Sequence, residues 1–97
     1  MKPSDALRLH REAIRTIVMV NDATNPRVFG SAIHGDDAEG SDLDILVDAV
    51  DGRTTLVSLG RIQDAVQVLT GVKVDVLTPL SLPARFRDHV LKEAVSI

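Results

Sequence analysis

Phe29-Gly30-Ser31 is followed, after ten intervening residues, by Asp42-Leu43-Asp44-Ile45-Leu46-Val47-Asp48, and a further carboxylate, Asp75, stands in the apolar run from Val72 to Leu77. On an extended chain successive side chains point to opposite faces, so Asp42 and Asp44 share one face while Leu43, Ile45 and Val47 share the other. Two carboxylates about 6.6 Å apart repel by roughly 2.5 kcal/mol at an effective dielectric of about 20. A hard divalent cation, which takes oxygen ligands and combines one or two carboxylates with substrate phosphates, removes that repulsion. Simple solvation beside the Gly40-Ser41 turn is the alternative, with water and salt screening the pair. Gly30-Ser31 supplies the counterpart for phosphate. A glycine at a strand end lets a phosphate approach the backbone, and the N–H groups of a following turn, with the Ser31 hydroxyl, can hold its oxygens. Alone, that dipeptide is more often a plain turn. Asp48 lies about 13 Å beyond Asp44 along the strand and reads as a solvated residue.

These side chains need elements to position them. Pro3-Ser4-Asp5 opens a helix, with Ser4 as its cap, and Ala6, Leu9, Ala13, Ile17 and Val20 follow at helical spacing, the stripe widened by Leu7, Ile14 and Val18. It ends near Asn21-Asp22, ahead of Asn25-Pro26. Arg27 to Phe29 forms a short strand, Ala32 to Ser41 an exposed loop that opens with one helical turn, and Asp42 to Val47 a second strand. Thr54 or Thr55 caps a second long helix with an apolar face of Leu59, Ile62, Val66 and Leu69, closed by Gly71. Val72 to Leu77 is a third strand, with Lys73, Asp75 and Leu77 on its polar side. After Thr78-Pro79, Ser81 and Pro83 open a last helix lined by Leu82, Phe86, His89, Val90 and Glu93. The order is α-β-β-α-β-α, an α/β (α+β) arrangement. Sequential strands usually neighbour each other, which brings Asp75 beside Asp42 and Asp44.

At 97 residues the chain spans one domain, residues 1–97, and its 44% hydrophobic and 26% charged residues are those of a globular protein. The absence of cysteine removes disulfides, thiolate metal sites and thiol nucleophiles, and suits a reducing cytoplasm. No stretch is apolar enough for a signal peptide or a membrane span. A net charge of −3, with scattered cations and two aromatic residues, excludes a duplex-binding surface and a base-stacking platform. With His10, His34 and His89 dispersed, a metal site here is all oxygen, which favours magnesium or manganese over zinc. Lys73 shares the Asp75 face, as a phosphate contact or a plain surface lysine.

Phe29-Gly30-Ser31, the ten-residue loop, Ser41-Asp42-Leu43-Asp44 and Val74-Asp75 together resemble the minimal nucleotidyltransferases of the DNA polymerase beta superfamily. The likeness extends over nearly the whole chain, including a closing helix end at Leu91-Lys92-Glu93-Ala94-Val95. It implies a polymerase-beta-like fold, a small mixed sheet flanked by helices. It also implies that Asp42 and Asp44 bind two Mg2+ ions (or Mn2+), that Asp75 completes the metal site and helps activate the attacking hydroxyl, and that Gly30 and Ser31, with His34 and Ser41, hold a nucleoside triphosphate. One departure is visible: the family often carries Ala-Arg-Gly where this chain has Ile33-His34-Gly35, replacing a permanent cation by an imidazole. His34 then either holds phosphate in a pH-dependent way or is a bystander of the loop.

The same resemblance implies an antitoxin that silences a HEPN-domain ribonuclease toxin by transferring AMP from ATP to one of its tyrosines. The chain has no tyrosine of its own, so such chemistry acts only in trans. A homodimer is the assembly considered for the free protein. Two other readings stand beside it. One is a domain of the same fold that neutralises its partner by contact, with no turnover. The other is a nucleotidyltransferase with a small-molecule acceptor, as in the aminoglycoside-type enzymes.

Overall fold

The first helix, α1 (Pro3–Val20), begins with proline at a position whose N–H would have no helical partner. Its cap differs from the expected Ser4, which lies inside the first turn. No side chain of the preceding Lys2 caps the helix, and the Ser4 N–H donates instead to Asp37 Oδ2, 2.8 Å away. The buried face is also rotated from the expected one: Ala6, Leu7, Ile14 and Val18 are buried, whereas Leu9 and Val20 are 62% and 70% exposed. Both stripes have helical spacing, and packing against a second helix selects one; a kink at His10 (φ −119°, ψ 18°) lies between the two halves of the buried stripe.

In the computed structural model, which describes residues 1–97, four strands form one mixed sheet: β1 (Ala23–Phe29), β2 (Leu43–Ala49), β3 (Val74–Leu77) and β4 (Val95–Ser96), in the order β3-β2-β1-β4. Only the β2–β3 pair is parallel. β1 is longer than Arg27 to Phe29 because a register shift between Thr24 and Arg27 accommodates Asn25-Pro26, a proline tolerated at a bulge. β4 replaces the expected helical ending: the last helix stops at Glu93, and Ser96 pairs with Arg27.

Between β1 and β2, Ser31–His34 form a single helical turn, α2. The long helix α3 (Leu56–Thr70) is capped by Thr55, whose side chain and that of Ser58 satisfy each other's backbone N–H, and Gly71 closes it. A 3-10 turn at Pro79–Ser81 leads into α4 (Ala84–Glu93), which buries no residue and is tied down by Arg87, donating to the Pro79 and Leu82 carbonyls.

Strand alternation decides where the core sits. Leu43, Ile45 and Val47 of β2 and Val74 and Val76 of β3 join Ile14 and Val18 of α1 and Ile62 and Val66 of α3 in one apolar cluster. Asp44 and Asp75 alternate with those residues and so fall on the other face, away from α1 and α3. Burying one face thereby aims the carboxylates.

Candidate active site

Asp44 occupies the middle of three adjacent strands. It stands opposite Phe29 on β1 and opposite Asp75 on β3. The Asp75 partnership fulfils the expectation from strand order. Asp42 precedes β2 by one residue, and the Leu43 N–H donates to the Lys73 carbonyl at 2.8 Å, locking the entry of β2 onto the entry of β3. Lys73, just ahead of β3, reaches Asp42, with Nζ 3.7 Å from Oδ2.

Gly30 is placed against this cluster by β1. Its φ of +81° is unfavourable for a side chain, and a Cβ built there would stand 2.6 Å from Asp44 Oδ2. Space and backbone conformation therefore both demand glycine. Ser31 and His34 bound the α2 turn that follows.

The electrostatics of the cluster follow from its placement. Burial first, then the neighbouring charges of Asp75 and Asp42, push the Asp44 carboxyl up to about 6. A half-buried carboxylate held beside two others is a site of excess negative charge, with only the long Lys73 contact to offset it. No group of three or more His, Asp or Glu side chains is gathered closely enough to hold a metal ion by itself. The donors are hard oxygens on an open face, which fits a cation that takes one or two carboxylates and completes its shell with phosphate and water. Asp42, Asp44 and Asp75 are the residues that would hold it.

His34 and Ser41 have partners of their own. His34 Nε2 lies 3.3 Å from Glu93 Oε2, and His89 Nε2 lies 3.4 Å from the same oxygen, so Glu93 ties the α2 turn to the end of α4. The Ser41 hydroxyl accepts from the Ala38 N–H at 3.0 Å and braces the loop ahead of Asp42. Asp48 is not simply solvated: Arg27 Nη2 and Asn25 Nδ2 donate to its two oxygens at 3.1 and 2.9 Å. The bracing roles of two residues, Asp37 and Glu93, escaped the sequence reading, which placed Glu93 only on the side of the last helix. Glu93 carried a signal, its i, i+4 spacing from His89. Asp37 carried none, because its partner Ser4 is 33 residues away. A concavity of about 280 Å3 lies apart from the carboxylates, lined by Arg15, Met19, Thr24, Asn25, Pro26, Ser96 and Ile97.

The nucleotidyltransferase domain family matches residues 8–97. This chain belongs to that family. As a nucleotidyltransferase it is 32% identical over 87 residues to a protein of Methanocaldococcus jannaschii provisionally named a protein adenylyltransferase, covering 90% of this chain and 92% of that one. It is 34% identical over 70 residues to the protein adenylyltransferase MntA of Thermococcus cleftensis, covering 72% of this chain and 70% of that protein. A solved structure provisionally described as a minimal nucleotidyltransferase superposes with a TM-score of 0.85 at 38% identity, covering 97% of this chain and 95% of the other. The toxin-antitoxin structure MntA-HepT shares the nucleotidyltransferase fold, with a TM-score of 0.67 at 18% identity over 92% of this chain and 69% of that one. The mixed sheet flanked by helices is thus the fold of the family, and no helix is long and apolar enough to cross a membrane.

Proposed function

We propose that this nucleotidyltransferase is a magnesium-dependent protein adenylyltransferase that moves AMP from ATP to a hydroxyl, a tyrosine of a HEPN-domain toxin, and so acts as an antitoxin. The observation that carries the reading is the register of Asp44 with Asp75, beside Asp42 and against Gly30. The names of the two relatives above support protein as the acceptor. The name of the MntA-HepT complex supports a toxin as partner.

The chemistry assigned to the residues is direct. The acceptor hydroxyl oxygen attacks the α-phosphorus in line, the bond from that phosphorus to the bridging oxygen breaks, and pyrophosphate leaves. Asp75 takes the hydroxyl proton, either directly or through water. Gly30 lets the Asp44 carboxylate lie close against the β1 end, and Ser31 holds a phosphate oxygen by its hydroxyl, with His34 and Ser41 flanking the turn. Divalent magnesium held by Asp42, Asp44 and Asp75 would supply charge neutralisation on the triphosphate and polarisation of the attacking oxygen. Positioning and charge account for most of the rate, since little covalent work falls to the protein.

The test is the intact mass of the protein encoded beside this one after incubation with this chain, magnesium and ATP, with Asp42→Asn as control. One or more AMP units, absent in the control, are expected. An unchanged mass in a stable complex would replace catalysis by neutralisation through contact. No complex at all would redirect the search to small-molecule acceptors. Asp42→Asn combined with Asp44→Asn separates turnover from contact: neutralisation is lost while the complex persists.

A further inference from the structure

Asp37 is the one aspartate or glutamate residue that is buried as a whole, 6% exposed, and the chemistry proposed above makes no use of it. It lies in the loop between α2 and β2, and its Oδ2 accepts from the Ser4 N–H at the otherwise uncapped start of α1. The Ser4 backbone N–H and then the Ser4 hydroxyl hold the Asp37 carboxyl below the usual carboxylate range. The adjoining residue, Ala38, is bonded twice to Ser41: its N–H donates to Ser41 Oγ, and its carbonyl accepts from the Ser41 N–H, both at 3.0 Å. Ser41 precedes Asp42, and Leu43 then enters the sheet through the Lys73 carbonyl. Two hydrogen-bonded anchors, Ser4–Asp37 and Ala38–Ser41, joined by the chain itself, therefore connect the first turn of α1 to Asp42.

We propose that Asp37 is a positioning residue for the nucleotide site: by pinning the α2–β2 loop to the start of α1, it sets Ser41 and Asp42 against Asp44 and Asp75. The proposal rests on the reading of Ser41 and Asp42 as site residues. The segment from Gly35 to Asp42 has no helix or strand of its own, so its conformation depends on such anchors. Asp37 touches neither substrate nor cation; it acts through Ala38 and Ser41.

Asp37→Ala, Asp37→Asn and the core variant Ile62→Val separate this role from plain helix capping. Amide exchange over residues 36–43, ATP affinity in the presence of Mn2+ and the melting temperature are measured for each. In Asp37→Ala, exchange over that loop accelerates and ATP affinity falls, each by about tenfold, as expected when an anchored group moves by a fraction of an ångström. Asp37→Asn keeps an oxygen acceptor for the Ser4 N–H and restores both. Ile62→Val lowers the melting temperature without moving either readout. Wild-type affinity in Asp37→Ala, beside a lowered melting temperature, would leave Asp37 as a helix cap only and overturn the proposal. Should Asp37→Ala not fold, the same comparison is read from Asp37→Ser, whose shorter side chain falls short of Ser4. If the wild-type chain binds no ATP, the proposed function falls by itself. Exchange at Ser41 to Leu43 then decides the strap: unchanged in Asp37→Ala overturns it, accelerated supports it.

Discussion

Asp44 and Asp75 are register partners across the only parallel strand pair of the sheet, so their carboxylates project from the same face one strand spacing apart. That arrangement has a consequence for stability. Burial, Asp75 and Asp42 raise the Asp44 carboxyl from 3.8 to about 6, so the native protein retains between those values a proton that the unfolded chain has released. The stability associated with Asp44 is therefore greatest below about pH 4, falls as pH rises to about 6, and stays low above it. Discounted for the solvent that reaches this half-buried group, the cost is about 1 kcal/mol. Asp44→Asn should raise the melting temperature in EDTA at pH 7.5 by about 4–8 °C and have little effect at pH 4. Equal melting temperatures for the two proteins at pH 7.5 would show that Asp44 is not under charge strain.

Gly30 against Asp44 gives a second expectation. Alanine at residue 30 has to accept φ of +81° and displace the Asp44 carboxylate, because its Cβ would sit 2.6 Å from Oδ2. Gly30→Ala should cost about 1–3 kcal/mol in stability and at least about 100-fold in kcat/KM. Gly35→Ala is the control without a collision: at φ +70° and ψ 13° it lies in the milder left-handed region with nothing within 4 Å of the new Cβ, so it carries part of the backbone strain and none of the close approach. Comparable losses of kcat/KM in both variants would remove the close approach to Asp44 from the account.

The alternation in Leu43-Asp44-Ile45 and Val74-Asp75-Val76 was enough to place the carboxylates on one face, since a strand has a period of two and one face must be buried. Helical spacing was less decisive in α1. Leu9, Ala13 and Val20 interleave with Leu7, Ile14 and Val18, and only packing between helices selects the second set. Val95-Ser96 is too short to carry a period, so β4 becomes visible only as a partner of β1. Asp37 was illegible for a different reason: capping is ordinarily read from residues adjacent to the helix, and this cap arrives from a distant loop.

His34 in place of the family's arginine yields a third expectation. Its Nε2 lies 3.3 Å from Glu93, so an arginine there would meet a carboxylate already present. Because a guanidinium offers a permanent charge and a planar fork of donors to phosphate, His34→Arg should tighten ATP binding several-fold. Titration calorimetry with ATP and magnesium checks this directly. Unchanged affinity would remove His34 from the phosphate site.

Asp48 provides the contrast within the same strand. It shares a face with Asp44, yet Arg27, whose side chain is only 12% exposed, and Asn25 occupy its oxygens. Burial alone would raise its carboxyl, but those hydrogen bonds and the Arg27 charge outweigh it, and the carboxyl ends below its usual 3.8. A depressed value means that the stabilisation is present above about pH 4 and is lost as the pH falls through the folded-state value. Asp48→Asn should therefore cost about 0.5–1 kcal/mol at pH 7, with the difference from wild type shrinking in acid. Its kcat/KM should stay near the wild-type value, whereas Asp44→Asn abolishes transfer. Urea unfolding at pH 7 and pH 3, with the transfer assay beside it, measures both. Loss of transfer in Asp48→Asn with stability intact would move Asp48 into the site and redraw its boundary along β2.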